Sequence, residues 1–434
     1  MPSLSWTSRV SGMFFANKGT YLFIAKHILV LDPKNFSGGK MNMKNKLKIV
    51  LWICLCLSIG SAIPTHARST HHGVATHAQA ASLMDVTSGR ILYSNHGDDE
   101  LRIASLTKIM TAIVAIEYGP MNKPVKVSKN AYAKEGSSIY LKLGEQMSLE
   151  NMLYGLMLRS GNDAATAIAE HVGGSEEGFV YLMNAKANEL GLKHTHFMNP
   201  HGLDADGHYS SANDLATMTA YAMHNPTFKE IVKTPTKKVP NPNEAWDYKW
   251  DNKNKMLRFY DGADGVKTGY TKKAFRCLVS SATRNGQQLV SVTINDGDDW
   301  NDHGKMLDYG FAYYPLVSLI ERGQKVEGHD LVTSQSFAYP LAEGEQSAIT
   351  NRLILMTPRN VNQDKSLDTS FGLKGRIEIL HEGKLIGKIP VYSPGSLLPE
   401  RAQPNKETIQ QDDYTQPNSK MTIIERLINK LLMV

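Results

Sequence analysis

Ile103-Ala104-Ser105-Leu106-Thr107-Lys108-Ile109-Met110-Thr111-Ala112 begins an apolar run that continues through Ile113, Val114 and Ile116 and stops at Gly119-Pro120. The spacing predicts a helix that is apolar on most sides, and such a helix belongs at the centre of a fold. Ser105 and Lys108 stand three residues apart on one helical face, with Cβ atoms about 5 to 6 Å apart. A lysine among Ile109, Met110 and Ile113 is badly placed as a solvated charge. It is well placed to act on the neighbouring hydroxyl. Serine is a poor nucleophile until a base takes its proton, and burial or a second cation lowers a lysine's pKa until it can serve as that base.

Upstream, Ala81 to Val86 and Ile91 to Ser94 flank Thr87-Ser88-Gly89-Arg90 and read as a hairpin. Downstream, Ser148-Leu149-Glu150-Asn151 opens a helix carrying Leu153, Leu156 and Met157. Ser160-Gly161-Asn162 lies between that helix and the next, Ala164 to His171. Ser211 reads as another N-cap with Asp214 in the capping-box position. Strands return at Gly265 to Tyr270, Phe275 to Thr283 and Gln288 to Asn295, the last two joined by an Asn285-Gly286 hairpin turn. Helices enclosed between strands from both ends of one domain indicate an α/β layered architecture.

From about Glu321 short strands are expected at Val326, Phe337 to Leu341, Leu353 to Met356 and Ile377 to Val391, which reads as a small β-domain. Residues 397–418 have linker composition, rich in Pro, Gln, Asn and Asp. On a helical wheel of about 100° per residue, Thr422, Glu425, Arg426, Asn429 and Lys430 share one arc of the last segment. Met421, Ile423, Ile424, Leu427, Ile428, Leu431, Leu432 and Val434 take the other. A wide apolar face at the end of a linker calls for a cover, and a lipid surface supplies one.

Lys44, Lys46 and Lys48 precede the apolar run Ile49 to Ile59, followed by Pro64-Thr65-His66-Ala67. This is the pattern of a secretory signal peptide cleaved after Ala67, starting at Met41 or Met43, so that residues 1–42 are expected to lie outside the true precursor. Cys54 and Cys56 go with the signal, leaving Cys277 as a lone buried thiol without a disulfide framework. The chain of 434 residues carries 48 basic and 42 acidic side chains, a mild excess spread over many segments, which gives nucleic-acid binding no footing. The expected organisation is 43–67 signal peptide, 80–318 catalytic domain, 320–396 β-domain, 397–418 linker and 419–434 amphipathic anchor helix.

Ser-x-x-Lys occurs at Ser37 and Ser105, and Ser-x-Asn at Ser128, Ser160 and Ser211; Lys267-Thr268-Gly269 occurs once. Order and context select one set: Ser105 and Lys108 on the buried helix, Ser160 and Asn162 on an interhelical turn, and Lys267, Thr268 and Gly269 on a strand. In that set Ser105 is the nucleophile, Lys108 the general base and Ser160 the hydroxyl that relays the proton to the leaving amine. Asn162 has a donor and an acceptor for a peptide backbone. Lys267 and Thr268 meet a carboxylate, and Gly269 admits close backbone approach. The backbone N–H groups of Ser105 and Tyr270 are the expected oxyanion donors. His194, His196 and His201 stand on a loop without a cysteine or carboxylate pattern, and no metal or cofactor is expected there; His201-Gly202-Leu203-Asp204 reads as a wall of the groove, with Asp204 supporting it.

Ala104 to Ala112, Ser160-Gly161-Asn162-Asp163-Ala164-Ala165, Asn199-Pro200-His201-Gly202-Leu203-Asp204 and Asp264-Gly265-Val266-Lys267-Thr268-Gly269-Tyr270-Thr271 strongly resemble low-molecular-mass penicillin-binding proteins of the serine D-Ala-D-Ala carboxypeptidase family, peptidase family S11. The resemblance spans roughly residues 80 to 395 and the anchor-like tail. It implies an α/β (α+β) serine β-lactamase/transpeptidase-like fold, an antiparallel sheet with helices on both faces. It also implies acylation of Ser105 by the D-Ala-D-Ala end of peptidoglycan stem peptides, covalent inhibition by β-lactams, and a site at the outer face of the cytoplasmic membrane. A class A β-lactamase would need a Glu-x-x-Leu-Asn loop, and none lies between Asn162 and Lys267. A D,D-endopeptidase acting on cross-links uses the same motifs. A non-catalytic wall-binding or β-lactam-sensing protein would be expected to lack Lys108 or Lys267.

Overall fold

The computed structural model describes residues 74–356 and 372–399. The expected signal peptide, the residues before it, the linker from 400 onward and the anchor helix lie outside the described residues. In chain order the first part runs β1 (Ala80–Asp85), β2 (Ile91–Asn95), α1 (Lys108–Tyr118), the hairpin β3–β4 (Pro124–Lys126 with Gln146–Ser148), α2 (Leu149–Tyr154), α3 (Asn162–Gly173), α4 (Glu176–Glu189), α5 (Ala212–Met223), α6 (Pro226–Lys233) and a second hairpin β5–β6 (Thr236–Val239 with Tyr248–Asp251). It ends with β7 (Ala263–Thr271), β8 (Phe275–Arg284), β9 (Gln287–Ile294) and α7 (Asp299–Tyr313).

One five-stranded antiparallel sheet, ordered β2-β1-β9-β8-β7, joins the two ends of this part, because β1 pairs with β9 from Ala80↔Ile294 to Asp85↔Leu289. The turn between β8 and β9 has both Asn285 and Gly286 at positive φ, the geometry an Asn-Gly hairpin favours. Alternation along the strands divides the core. Ala80 and Met84 of β1 and Val290 and Val292 of β9 face one apolar cluster with α1, whereas Ala81 and Leu83 face Met306 and Leu307 of α7 on the other side. Helices therefore cover both faces of the sheet. Ile109, Met110, Ala112, Val114 and Ala115 are all fully buried, so α1 is the central helix.

Ser105 does not lie within α1. Residues Ala104–Thr107 form one 3₁₀ turn, and the α-helix begins at Lys108. Ala104 has φ +48°, which an α-helix cannot accommodate, and Thr107 Oγ1 donates to the Ala104 carbonyl at 2.8 Å. The tighter turn eclipses residues i and i+3, so the Ser105–Lys108 pairing survives. Ser211 caps α5 through the Asp214 N–H, but Asp214 makes no reciprocal box; its carboxylate accepts the His194 N–H and the Thr195 hydroxyl, both at 2.7 Å.

Beyond α7 the described chain is β-structure: β10 (Leu316–Ile320), β11 (Val332–Thr333), β12 (Phe337–Pro340), β13 (Ile349–Leu355), β14 (Leu373–His381) and β15 (Lys384–Tyr392). β10 pairs with β12, and β11-β15-β14-β13 form a sheet over Ile320, Leu331, Ile377, Ile379, Ile389 and Val391. Val326, expected in a strand, lies instead between turns at Gly323 and Gly328. Arg90, in the β1–β2 turn, reaches this region with two bonds to Glu345 (2.7 and 2.8 Å) and one to the Pro340 carbonyl (2.6 Å).

Asp163, buried in the first turn of α3, organises the loop ahead of β4. Its carboxylate accepts the Ser138 hydroxyl (2.6 Å), the Ile139 and Leu141 N–H groups (3.1 and 3.2 Å) and the Ala164 N–H (2.9 Å). A helix N-terminus also favours its charge. Asp163→Ala would strand buried donors from two segments, and we expect a loss of about 3 kcal/mol in urea unfolding. A loss below about 0.5 kcal/mol, the scale of an ordinary surface substitution, would show that the loop is held by other contacts.

Candidate active site

Three elements converge on Lys108. The 3₁₀ turn brings Ser105, β7 brings Lys267 to Tyr270, and α2 and α3 bring Ser160 and Asn162 through an irregular joint. α2 runs into a single π-helical turn, Gly155–Arg159, which ends at Ser160 in the left-handed region (φ +67°). A π turn followed by a left-handed residue displaces the chain from the helical path, and Asn162 restarts it as the first residue of α3.

Lys108 is fully buried. Its Nζ lies 3.0 Å from Ser105 Oγ, 2.8 Å from Asn162 Oδ1 and 2.5 Å from the His201 carbonyl oxygen. The Asn162 amide is oriented by its other end, where Nδ2 donates to the Glu135 carbonyl at 2.7 Å. Asn162 Oδ1 and the His201 carbonyl can only accept. A neutral amine has two hydrogens for those two acceptors and one lone pair for the third neighbour, the Ser105 hydroxyl. Burial first, then Lys267 and Lys253, push the Lys108 ammonium well below the usual lysine range. Among the described residues no carboxylate forms an ion pair with it.

Lys267 is also buried, its Nζ donating to the Thr268 carbonyl at 2.7 Å. Burial, then Lys253, lower its pKa to about 7. Thr268 and Gly269 are half-buried and Tyr270 is exposed. A Cβ on Gly269 would stand 3.2 Å from the Ile103 carbonyl oxygen and 3.3 Å from the Ser105 nitrogen, so β7 passes close to the Ala104–Thr107 turn at this residue. Ser105 itself is only partly buried. Ser160 Oγ is buried and makes no hydrogen bond to the described residues.

The three loop histidines go to separate partners. His194 Nδ1 faces Glu100 at 3.7 Å, His196 Nδ1 the Gly207 carbonyl at 2.8 Å and His201 Nε2 the Glu176 carboxylate at 3.3 Å. His201 joins the Lys108 environment through its backbone. Asp204 accepts from the Thr271 hydroxyl at 3.1 Å and so ties this loop to the end of β7. The sequence reading missed Lys253, Asn254 and His208. The Lys253 N–H bonds the Leu158 carbonyl of the π turn (3.1 Å), while Asn254 Nδ2 bonds the Gly265 carbonyl of β7 (2.6 Å), so adjacent residues link two of the site's elements. Asn252-Lys253-Asn254 has no periodic signal, and its polarity looks like that of any loop.

A family model described as D-alanyl-D-alanine carboxypeptidase, peptidase S11, matches residues 66–298. The chain is 33% identical over 355 residues to D-alanyl-D-alanine carboxypeptidase DacF of Bacillus subtilis (strain 168), covering 79% of this chain and 88% of the relative. It is 31% identical over 368 residues to DacC of Escherichia coli (strain K12), covering 80% and 88%. Among solved structures, penicillin binding protein 5 from Haemophilus influenzae superposes with a TM-score of 0.59 at 29% identity, covering 73% of this chain and 96% of that one. The carboxypeptidase DacD from Francisella tularensis gives 0.57 at 26% identity, covering 74% and 93%.

The depressed pKa of Lys267 has a consequence for stability. Above about pH 7 the native state releases a proton that the unfolded chain keeps until about pH 10, so the unfolded state binds more protons and stability rises with pH in that window. Lys267→Met removes this contribution. We expect the slope of unfolding free energy against pH, from urea titrations between pH 7 and 9, to be shallower in the variant by up to about 1 kcal/mol per pH unit. Equal slopes would mean that Lys267 keeps an ordinary pKa.

Proposed function

Because the chain belongs to peptidase family S11, the serine-type D-alanyl-D-alanine carboxypeptidases, we propose that it removes the terminal D-alanine from peptidoglycan stem pentapeptides through an acyl-enzyme on Ser105. The observation that carries this reading is Lys108 Nζ at 3.0 Å from Ser105 Oγ, with its other two hydrogen bonds to groups that can only accept.

In the proposed mechanism Ser105 Oγ attacks the carbonyl carbon of the penultimate D-alanine while its proton passes to neutral Lys108. The carbonyl oxygen becomes an oxyanion between the N–H groups of Ser105 and Tyr270; the close approach of Gly269 to the Ser105 nitrogen supports that pairing. The C–N bond then breaks, and the proton moves from Lys108 by way of the Ser160 hydroxyl to the departing D-alanine nitrogen. Water attacks the resulting ester with Lys108 as base and frees Ser105. Asn162 holds the substrate backbone, and Lys267 with Thr268 receives the terminal carboxylate. A β-lactam acylates Ser105 by the same first step.

We place the enzyme outside the cytoplasmic membrane. The signal-peptide pattern at 43–67 and the amphipathic pattern at 419–434 support export followed by peripheral attachment. Among the described residues no helix is long and apolar enough to cross a membrane.

Incubation with benzylpenicillin should give a mass adduct on Ser105, and D-alanine should be released from a pentapeptide. Ser105→Ala should lose the adduct and reduce release by about 10⁴-fold or more. Unchanged release in that variant would sink the nucleophile assignment. Cleavage of cross-linked muropeptides with no D-alanine release would turn the reading to an endopeptidase.

A further inference from the structure

The turn that carries Ser105 is strained and is held from outside. Ala104 is non-glycine at φ +48°, a strained conformation that persists only where its surroundings impose it. The surroundings here are the segment Met198–Ser210. Gly202, at φ +84°, lies so close beneath the turn that a Cβ there would sit 1.9 Å from the Ala104 carbonyl oxygen. The Leu101↔Ser210 bridge fixes the far end of the segment to the chain just before the turn.

His208 completes the arrangement. It is buried, with Nδ1 3.0 Å from the Met198 nitrogen and Nε2 2.8 Å from Thr107 Oγ1. The Met198 N–H can only donate, so Nδ1 accepts and the ring proton sits on Nε2. Nε2–H therefore donates to Thr107 Oγ1, leaving the Thr107 hydroxyl proton free to go to the Ala104 carbonyl at 2.8 Å. The three bonds run in one direction, from the Met198 N–H to His208, from His208 to Thr107 and from Thr107 to the Ala104 carbonyl. Burial holds the ring neutral, with its pKa lowered to about 3, as the chain of bonds requires.

We propose that His208 is a positioning residue: acting through Thr107, it holds the Ala104–Ser105 turn in the conformation that aims the Ser105 hydroxyl at Lys108. The inference rests on Ser105 being the nucleophile, and His208 touches neither substrate nor Ser105. Without the His208 donor the Thr107 hydroxyl is free to rotate off the Ala104 carbonyl, and the strained turn loses its internal tie.

The test is the rate of Ser105 acylation by benzylpenicillin and of D-alanine release by the full chain, with thermal unfolding measured alongside. His208→Leu and Thr107→Val should each slow acylation by about 10²-fold, the cost of a small misplacement of a reacting group. KM for the pentapeptide should stay near the parent value while kcat falls. His208→Gln, whose amide offers one donor and one acceptor, should restore most of the rate. The double variant Thr107→Val/His208→Leu should be no slower than either single variant, because both break one chain of bonds. Parental acylation in either single variant, or a His208→Gln variant as slow as His208→Leu, would overturn the proposal; if His208→Leu does not fold, Thr107→Val decides. A parent protein that takes no adduct on Ser105 would remove the nucleophile assignment itself and this inference with it.

Discussion

The structure is organised around a buried lysine that forms no ion pair among the described residues. Taking an ammonium out of water costs several kcal/mol unless it is paired or loses its proton. Among the described residues Lys108 has no paired carboxylate; it has Asn162 Oδ1, the His201 carbonyl and the Ser105 hydroxyl. Those three neighbours suit a neutral amine better than an ammonium, because one of them can supply a proton. The environment that makes the residue expensive is also the one that suits the base proposed for it. Ser105 is a local neighbour, whereas Asn162 and His201 come from distant parts of the chain.

Two of the three elements that converge on Lys108 depart from ideal geometry at the point of contact, and the third brings a glycine there. α1 is preceded by a 3₁₀ turn with Ala104 left-handed, and α2 gives way to a π turn with Ser160 left-handed. β7 carries Gly269 where a side chain would press on the Ile103 carbonyl. The irregularities are stabilised by the layers behind them: the Asp163 carboxylate gathers the loop that orients Asn162, and the sheet closed by β1 and β9 fixes β7 relative to α1.

The sheet, the central helix and the members of the Ser-Lys, Ser-x-Asn and Lys-Thr-Gly motifs were legible in the sequence because each has a local signature. The all-round apolar run marks α1, and Asn285-Gly286 marks the hairpin between β8 and β9. The supporting groups were not legible. His208 acts on a turn about a hundred residues earlier, and Lys253 and Asn254 join the π turn to β7 from a polar loop. Nothing local marks such residues, since their partners are set by topology alone. Asp214 misled for the same reason: its spacing from Ser211 fits a capping box, but the neighbouring loop offers it two better donors.

The two buried lysines are also coupled. Lys267 near pH 7 is poised between charged and neutral forms, and its charge is one of the influences that hold the Lys108 pKa down. On the proposed mechanism the substrate carboxylate arrives at Lys267. An anion there stabilises the Lys267 ammonium and at the same time cancels its field at Lys108. On the proposed mechanism, bound substrate therefore weakens one of the influences that lower the Lys108 pKa. Burial is the largest influence lowering the Lys108 pKa, and Lys267 and Lys253 add to it. A carboxylate beside Lys108 would have relieved the repulsion at the cost of holding the proton on the base. On the proposed mechanism, burial first and like-charge repulsion second keep the Lys108 amine available, both at a cost to the fold.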